Sequence, residues 1–182
     1  MPLSYLVIRS SRKTISLEVR PDGTLLVRAP RRMTDRAIRE FVVSKESWLR
    51  EKLKKYENRP ALPRLTETEL DSLKKQAKAD LPARVQKFAP LVGVSFGRIT
   101  IRAQKTRWGS CSREGNLNFN CLLVLCPEAV RDYVVIHELC HRKEMNHSPR
   151  FWAEVARVCP DYAARRRWLK ENGGALIARL PE

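Results

Sequence analysis

The chain has three histidines, and all of them lie between residues 137 and 147, as His137, His141 and His147. The first two are four apart and Glu138 follows His137, which gives the motif H-E-x-x-H. On a helix, residues four apart lie on the same face, so these two imidazoles can bind one metal ion. Glu138, about 100° round the helix, can reach water held at that metal. The spacing is typical of zinc hydrolases in which the glutamate is the general base.

The residues around this motif predict that it lies on a buried helix. Cys126-Pro127-Glu128 is typical of a helix start, with Pro127 at the first helical position. One face of the helix then carries, in order, Val130, Val134, His137 and His141, and the other faces are mostly apolar. A buried carboxylate is costly unless it is paired or near a metal, so Glu138 favours a catalytic site. In the structural alternative, Glu138 pairs with an arginine and the histidines bond backbone carbonyls.

His147 is the candidate third ligand. Ser148-Pro149 predicts the N-cap and first turn of a second helix, so His147 lies at its entry, after a turn near Met145-Asn146. This reversal of the chain can return His147 to the first two histidines. Three protein ligands plus water are typical of catalytic zinc sites, although other divalent transition metals can bind the same ligands. In the alternative, His147 only caps the turn and a later carboxylate, such as Glu154 or Asp161, completes the site.

Composition indicates one globular domain, with or without a small appendage: the chain has 182 residues, of which 43% are hydrophobic. No apolar run approaches the length of a membrane span, and the N-terminal stretch MPLSYLVIRSSRK does not have the pattern of a signal peptide. The five cysteines include no C-x-x-C pair, which argues against a disulfide framework and a cysteine zinc site. We therefore expect a cytoplasmic protein without a membrane partner.

The net charge is +16, from 36 basic and 20 acidic residues. This excess suggests a nearby polyanion, such as nucleic acid, a nucleotide or an anionic surface. The basic residues recur along the whole chain, so the alternative is a surface that is evenly basic. No G-x-x-x-x-G-K-[ST] loop is present, so phosphates would have to be held by the metal and arginines.

The N-terminal third predicts a small antiparallel sheet and a long helix. Apolar residues alternate on both sides of Pro21-Asp22-Gly23, which predicts a β-hairpin, and Tyr5 to Ile8 predict a third strand. A helix beginning at Thr34 has an apolar stripe consisting of Ile38, Phe41, Val42, Trp48, Leu49 and Leu53. The segment from Asn58 to Pro63 is the candidate linker. The prediction is an N-terminal part, residues 1–58, packed on a catalytic part, residues 64–182.

The remaining elements predict a mixed catalytic part. A capping box at Thr66-Glu67-Thr68-Glu69 opens a helix, which Pro82 should kink or restart. Val94 to Arg102 predicts a strand, and a turn at Arg113-Glu114-Gly115-Asn116 precedes another. Two short helices should follow the metal-site helix, the last one ending at Gly173-Gly174. The fold class is therefore α+β.

Several segments together resemble the YgjP-like family of zincin metallopeptidase domains. They are RSSRKTISLEVRPDGTLLVRAP (residues 9–30), KTRWGSCSREGNLNFNCLL (residues 105–123), HELCHRKEMNHSPRFW (residues 137–152) and PDYAARRRWL (residues 160–169). The chain is more distantly similar to WLM and SprT-like proteases. The resemblance covers nearly the whole chain. It implies a zincin-like core, with His137, His141 and His147 as zinc ligands and Glu138 as the catalytic base.

Zincin families bind the substrate as an extra strand along a sheet edge, and by this resemblance the hairpin around TRWGSCS (residues 106–112) is the candidate edge. Arg107 could bind a substrate carboxylate or phosphate, and Trp108 could line a groove. In the structural alternative, Trp108 lies in the core and Arg107 pairs with an acid. Backbone N–H groups, Tyr133 and Arg107 all remain candidates for stabilising the oxyanion.

These observations support three functional hypotheses. The first is a cytoplasmic zinc peptidase acting on peptides or proteins, with a DNA-associated protease as a variant suggested by the resemblance to WLM and SprT-like proteins and by the charge. The second is a nucleotide pyrophosphatase or phosphohydrolase that uses the same site. The third is a binding module with a structural metal, which the intact H-E-x-x-H disfavours because such a site has no need for Glu138.

Overall fold

The computed structural model describes residues 4–19, 24–57 and 62–181, with the side chains of residues 55–57 excepted. The predicted turn at Pro21-Asp22-Gly23 and most of the predicted linker lie outside these ranges. The chain divides into two compact units, Met1–Leu62 and Pro63–Glu182. The packing of the N-terminal part on the catalytic part stays a prediction.

The first unit contains a three-stranded sheet with strands β1 (Tyr5–Ser10), β2 (Ser16–Val19) and β3 (Leu25–Pro30) in the order β1-β3-β2. The β2–β3 pair is antiparallel, as the hairpin prediction requires, whereas β1 pairs with β3 in parallel. The prediction of a wholly antiparallel sheet is therefore wrong for the β1–β3 pair. Strand β3 has the most buried residues of the three, so it takes the central position, where both of its edges are paired.

Two helices replace the expected long helix of the first unit: α1 (Asp35–Ser44), capped by Thr34, and α2 (Glu46–Glu57). The break falls at Lys45, after β-branched residues and a serine whose Oγ donates to the Phe41 carbonyl at 2.7 Å. Such residues are weak helix formers. Beyond the break, Leu49 is buried but Trp48 is 42% exposed, so Trp48 does not belong to the apolar stripe.

The second unit begins with a long helix, α3 (Glu67–Val92), whose capping box forms both expected hydrogen bonds between Thr66 and Glu69. The expected restart at Pro82 does not occur, because α3 is continuous through this residue. A proline inside a helix costs about 3 kcal/mol. Leu81 and Val85, on either side, are completely buried, and their packing offsets this cost.

A second sheet contains strands β4 (Ile99–Arg102), β5 (Gly109–Cys111) and β6 (Leu117–Asn120) in the order β4-β6-β5. Strand β4 begins five residues later than the predicted start at Val94. The pair β4–β6 is parallel and β5–β6 is antiparallel, so β5 forms one edge of the sheet. One sheet face packs on the core, and a 3-10 helix (Cys121–Leu125) follows β6.

Three further helices complete the unit: α4 (Glu128–Cys140), α5 (Pro149–Val158) and α6 (Tyr162–Ile177). Arg84 of α3 bonds Asp80 on its own helix and Asp132 and Glu128 on α4, and thereby fixes α4 against α3. The predicted α+β class is confirmed. None of the helices in the described part of the chain combines the length and apolar composition needed to cross a membrane.

The last helix, α6, continues past Gly173-Gly174, so the predicted helix end there is wrong. Gly173 is buried against Trp108, and a Cβ at position 173 would lie 2.9 Å from Trp108 Cζ2. The glycine at this position therefore allows close packing and does not terminate the helix.

Candidate metal centre

Helix α4 positions the H-E-x-x-H motif. Pro127 is its N-cap and not its first helical residue, so α4 begins one residue later than predicted, and His141 is the C-cap. Val134, Val135 and Leu139 are buried, and so is Glu138. Because nearly every face of α4 is packed, the direction in which the motif points is fixed by the core.

The three histidines come together as the sequence predicts. His147 Nε2 lies 3.0 Å from His137 Nε2, and one nitrogen from each of the three imidazoles lies within 4.8 Å of the others. Ser148 caps α5 by accepting a hydrogen bond from the Phe151 N–H at 3.3 Å. This cap begins α5 directly after His147 and so returns that residue to α4.

Phe151 is the packing centre of the cluster. It is fully buried, and its ring centroid lies 4.8 Å from that of His137, 4.5 Å from that of His141 and 4.9 Å from that of His147. In the sequence, Phe151, Val155 and Val158 are spaced as one apolar face of α5, which by itself indicates only a core position. The position of Phe151 four residues after His147 was the available signal that it could support that ligand.

The Nδ1 atoms of His137 and His141 have hydrogen-bond partners. His141 Nδ1 lies 3.0 Å from the Glu144 carbonyl and His137 Nδ1 lies 3.5 Å from Tyr133 Oη. With Nδ1–H donating in both cases, the Nε2 lone pairs of His137 and His141 are available to a metal, as is common in metal sites.

The protonation state of the histidines also suits a metal. Burial, helped by the charges of the neighbouring histidines, lowers the pKa of His137 to about 3, and burial lowers the pKa of His141. Both are therefore neutral at pH 7, which is the form that binds metal. Tetrahedral zinc, with bonds of about 2.0–2.1 Å, holds its ligand nitrogens about 3.4 Å apart. The observed separations bracket this value, so the three residues fit such an ion.

Glu138 is only 6% exposed, and burial raises the pKa of its carboxyl to about 8, whereas the charge of Arg107 acts in the opposite direction. Within the described ranges no ion pair involves this carboxylate. The structural alternative, in which Glu138 pairs with an arginine, is therefore not observed. A buried, unpaired carboxylate beside a metal site is suited to proton transfer.

The two carboxylates considered as alternative ligands have other partners. Glu154 accepts hydrogen bonds from Lys143 at 2.9 Å and Arg157 at 3.1 Å, and these partners lower its pKa. Asp161 pairs with Arg165 at 2.8 Å. These ion pairs leave His147 as the third member of the cluster.

A cleft of about 510 Å³, which we call the metal cleft, opens beside the histidines. Its lining includes Trp108, Tyr133, His137, Glu138, Trp152 and Arg166. The Arg166 guanidinium lies 4.6 Å above the Trp152 ring, and Trp152 stacks on Tyr162 at 5.2 Å. Sequence reasoning missed Arg166 and Trp152 as cleft residues. The available signal was that both belong to segments that carry the family resemblance.

Strand β5 borders the site. Gly109, Ser110 and Cys111 form one wall of a second opening of about 240 Å³, which His137, Glu138 and His141 also line. Trp108 lines the metal cleft and packs against Gly173, so it has both of the roles that the sequence left open. Arg107 is exposed and lines a separate groove. The edge strand that passes the histidines is thus β5.

Comparison with known families and structures gives three matches. The model of the YgjP-like metallopeptidase domain family matches residues 13–72 and 68–172. The metallopeptidase zymogen abylysin of Pyrococcus abyssi is 23% identical, with 50% of this chain and 93% of that chain covered and a TM-score of 0.46. The zymogen of jannalysin from Methanocaldococcus jannaschii is 22% identical, with 48% of this chain and 94% of that chain covered and a TM-score of 0.41. No curated protein matches significantly.

Proposed function

The chain belongs to the YgjP-like metallopeptidase domain family, and we propose that it hydrolyses peptide bonds with one zinc ion held by His137, His141 and His147. The family makes it a metallopeptidase-like hydrolase. The observation that supports this ligand set is the approach of one nitrogen from each histidine to within 4.8 Å of the others. Three imidazoles with a free fourth position favour catalytic zinc.

Glu138 is the general base in this proposal. A zinc ion, when bound, would polarise the substrate carbonyl and lower the pKa of nearby water. The Glu138 carboxylate takes a proton from the attacking water and passes it to the leaving amine. Its burial supports this role, because a carboxyl whose pKa is raised holds and releases a proton near neutral pH.

Tyr133 is our candidate for stabilising the oxyanion. Burial raises the pKa of its phenol to about 12, so it stays protonated. If His137 Nδ1–H donates to Tyr133 Oη at 3.5 Å, the phenol O–H remains free to donate into the cleft that Tyr133 lines. Preorganised donors of this kind are strong contributors to catalysis.

The substrate backbone, we propose, pairs with the free edge of β5. Edge pairing gives affinity through main-chain hydrogen bonds and places few demands on side chains. Trp108 and Trp152 would then contact substrate side chains in the metal cleft, and Arg166 would attract a substrate carboxylate. Arg107 remains a candidate for a more distant contact, since it lies on the other side of β5.

The cytoplasm is the proposed location. All five cysteines are free thiols, and four of them are buried. Free thiols are typical of proteins in a reducing compartment.

Nucleotide hydrolysis at the same site is the second candidate. The observation that favours it is the Arg166 guanidinium, which lines the same cleft as His137 and Glu138, since this group binds phosphate as well as carboxylate. In that case the attacked group would be a phosphoanhydride.

One mass-spectrometric assay separates these candidates. Zinc-loaded protein is incubated with an unstructured protein and a mixture of nucleoside triphosphates, and the wild type is compared with Glu138→Gln and with the control Glu128→Gln on the same helix. New peptide termini that require Glu138 alone are the expected result, with a loss of roughly 10²- to 10⁴-fold in the Glu138→Gln variant. Nucleotide products that require Glu138 would overturn peptidase action in favour of the second candidate.

A further inference from the structure

We propose that the outer face of the second sheet binds nucleic acid through its phosphate backbone. This face is opposite the core and is centred on Thr100, Ser110 and Asn118, one residue from each strand, which lie side by side in register. All three have short polar side chains. The result is a flat polar centre that offers hydrogen bonds without protruding groups.

Four cations surround this centre. Arg98, Arg102, Lys105 and Arg107 are exposed and line a groove of about 700 Å³ over the sheet face. Its lining residues include no carboxylate and no aromatic ring. The lining itself therefore carries only positive charge, and the Glu114 carboxylate, which accepts a hydrogen bond from Ser112, lies at its border. A ligand would be held by charge and hydrogen bonds, not by stacking.

The four groove cations are not neutralised by a carboxylate: in the described part of the chain no ion pair involves them, whereas Arg84, Arg131, Lys143, Arg157 and Arg165 each pair with one. Other cations of the second unit, such as Lys75, Lys78 and Arg166, also make no ion pair with a described residue. The groove differs from these in holding four such cations around one polar surface.

The distribution of the cations favours an extended anion. Arg98 precedes β4 and Arg102 is its last residue, and Lys105 and Arg107 follow in the loop before β5. Four cations exceed what the charge of one phosphate requires, whereas a nucleic acid presents a charge at every nucleotide. Arginine also matches phosphate oxygens in a bidentate geometry.

Recognition through arginine and lysine side chains is directed to the phosphate backbone. Because phosphate contacts carry no sequence information, binding should depend little on sequence.

The groove and the metal cleft are separate sites. None of the described residues lines both the groove and the cleft of about 510 Å³ beside the histidines, although Ser110 and Cys111 of the groove also border the smaller opening next to the histidines. Occupation of the groove therefore leaves the metal cleft open. Binding of nucleic acid should not require zinc or Glu138.

The test is a fluorescence-anisotropy titration of the full chain with a short labelled DNA duplex at several salt concentrations. The double variant Arg98→Gln/Arg102→Gln is compared with Lys75→Gln/Lys78→Gln, which removes the same charge from the exposed surface of α3. The groove variant should bind about tenfold more weakly, and its plot of log K against log salt should be shallower by about 1.8, from 0.9 for each lost contact. Equal weakening in both variants would refute a localised site.

Further variants and competitors in the same titration identify the ligand and show whether weaker binding arises from misfolding. Lys105→Glu, an exposed loop substitution, should also weaken binding. The protein with Glu138→Gln should bind DNA like the wild type, and dependence on Glu138 would contradict the separation of the sites. Unlabelled duplex DNA should displace the probe, and polyglutamate of equal charge should do so poorly. More efficient displacement by polyglutamate would overturn the proposal and assign the groove to acidic proteins.

Discussion

Gly109 on β5 faces the side chain of Glu138 on α4 so closely that a Cβ at position 109 would lie 2.6 Å from Glu138 Oε1 and 2.7 Å from Cγ. Atoms cannot approach to this distance without a shift. The absence of a side chain at Gly109 thus brings the sheet edge and the buried carboxylate together.

Replacement of Gly109 by alanine should impair catalysis while metal binding is retained. The new methyl group must displace the Glu138 carboxylate or move β5, and a small misplacement of a catalytic group can cost about 100-fold in rate. Peptidase kcat/KM and zinc affinity are measured in parallel. Thr100→Ala on β4, which lines neither opening beside the histidines, is the control and should keep near wild-type activity. Equal activity of both variants would contradict this view of Gly109.

Removal of the third candidate ligand should abolish tight metal binding. His147→Ala leaves two imidazoles, and we expect zinc affinity to fall by about 100-fold or more, beyond the 10- to 100-fold typical of supporting residues. The stabilisation by added zinc, which follows the affinity, should disappear. Isothermal titration and thermal melting measure these quantities, with Met145→Leu as the control. Retention of wild-type affinity would exclude His147 as a ligand.

Arg166 should favour substrates with an acidic side chain near the cleaved bond. Its guanidinium lies over Trp152 in the metal cleft, and within the described residues it makes no ion pair. The kcat/KM values are compared for two peptides that are identical except for Glu or Gln at one position near the cleaved bond. Arg166→Gln should lower the Glu-to-Gln ratio of kcat/KM by roughly tenfold, about 1.4 kcal/mol, whereas Arg167→Gln should leave it unchanged. An unaltered ratio would show that Arg166 does not set specificity.

A methyl group at Gly173 should destabilise the second unit. The added Cβ would meet the Trp108 ring at 2.9 Å, and overpacking of this kind costs about 1–3 kcal/mol. The adjacent change Gly174→Ala, about 100° round α6, should be neutral or stabilising because alanine favours a helix. Urea denaturation gives both free energies of unfolding. Wild-type stability of the Gly173→Ala variant would contradict the close packing of Gly173 against Trp108.

Metal-free protein should lose stability as the pH rises above neutrality. Burial raises the pKa of Glu138 from 4.5 to about 8, so between these values the folded state holds a proton that the unfolded state has released. The free energy of unfolding then falls by up to about 1.4 kcal/mol per pH unit. The lowered pKa of His137 has the opposite effect, because it makes the free energy of unfolding rise with pH, but only below the ordinary histidine pKa of 6.5. From about 6.5 to 8, the Glu138 effect therefore remains.

Denaturant titrations with chelator across this pH range measure the effect. Glu138→Gln should remove the decline, because its amide does not titrate, while Glu128→Gln should keep it. A decline of the same slope in both variants would show that another group is responsible.

Short-range patterns in the sequence predict much of the site. The spacing of His137 and His141 follows from helix geometry, and the cap at Ser148 fixes where α5 begins. The capping box of α3 and the α+β class were likewise accessible from local patterns. Local reasoning failed where packing opposes propensity, as at Gly173, where α6 does not end. At Pro82, where a kink or a restart was expected, the restart does not occur.

Tertiary structure alone decided which distant residues meet. Gly109 contacts Glu138, Gly173 contacts Trp108, and Arg166 enters the cleft beside His137. These pairs are separated by 29 to 65 residues in the chain, so no helical or strand periodicity relates them. The sequence by itself determined which residues are candidate ligands and general base, because the spacing of His137, Glu138, His141 and His147 depends only on one helix and the turn that follows it. The walls of the cleft and the basic groove depend on how the sheet and the helices pack.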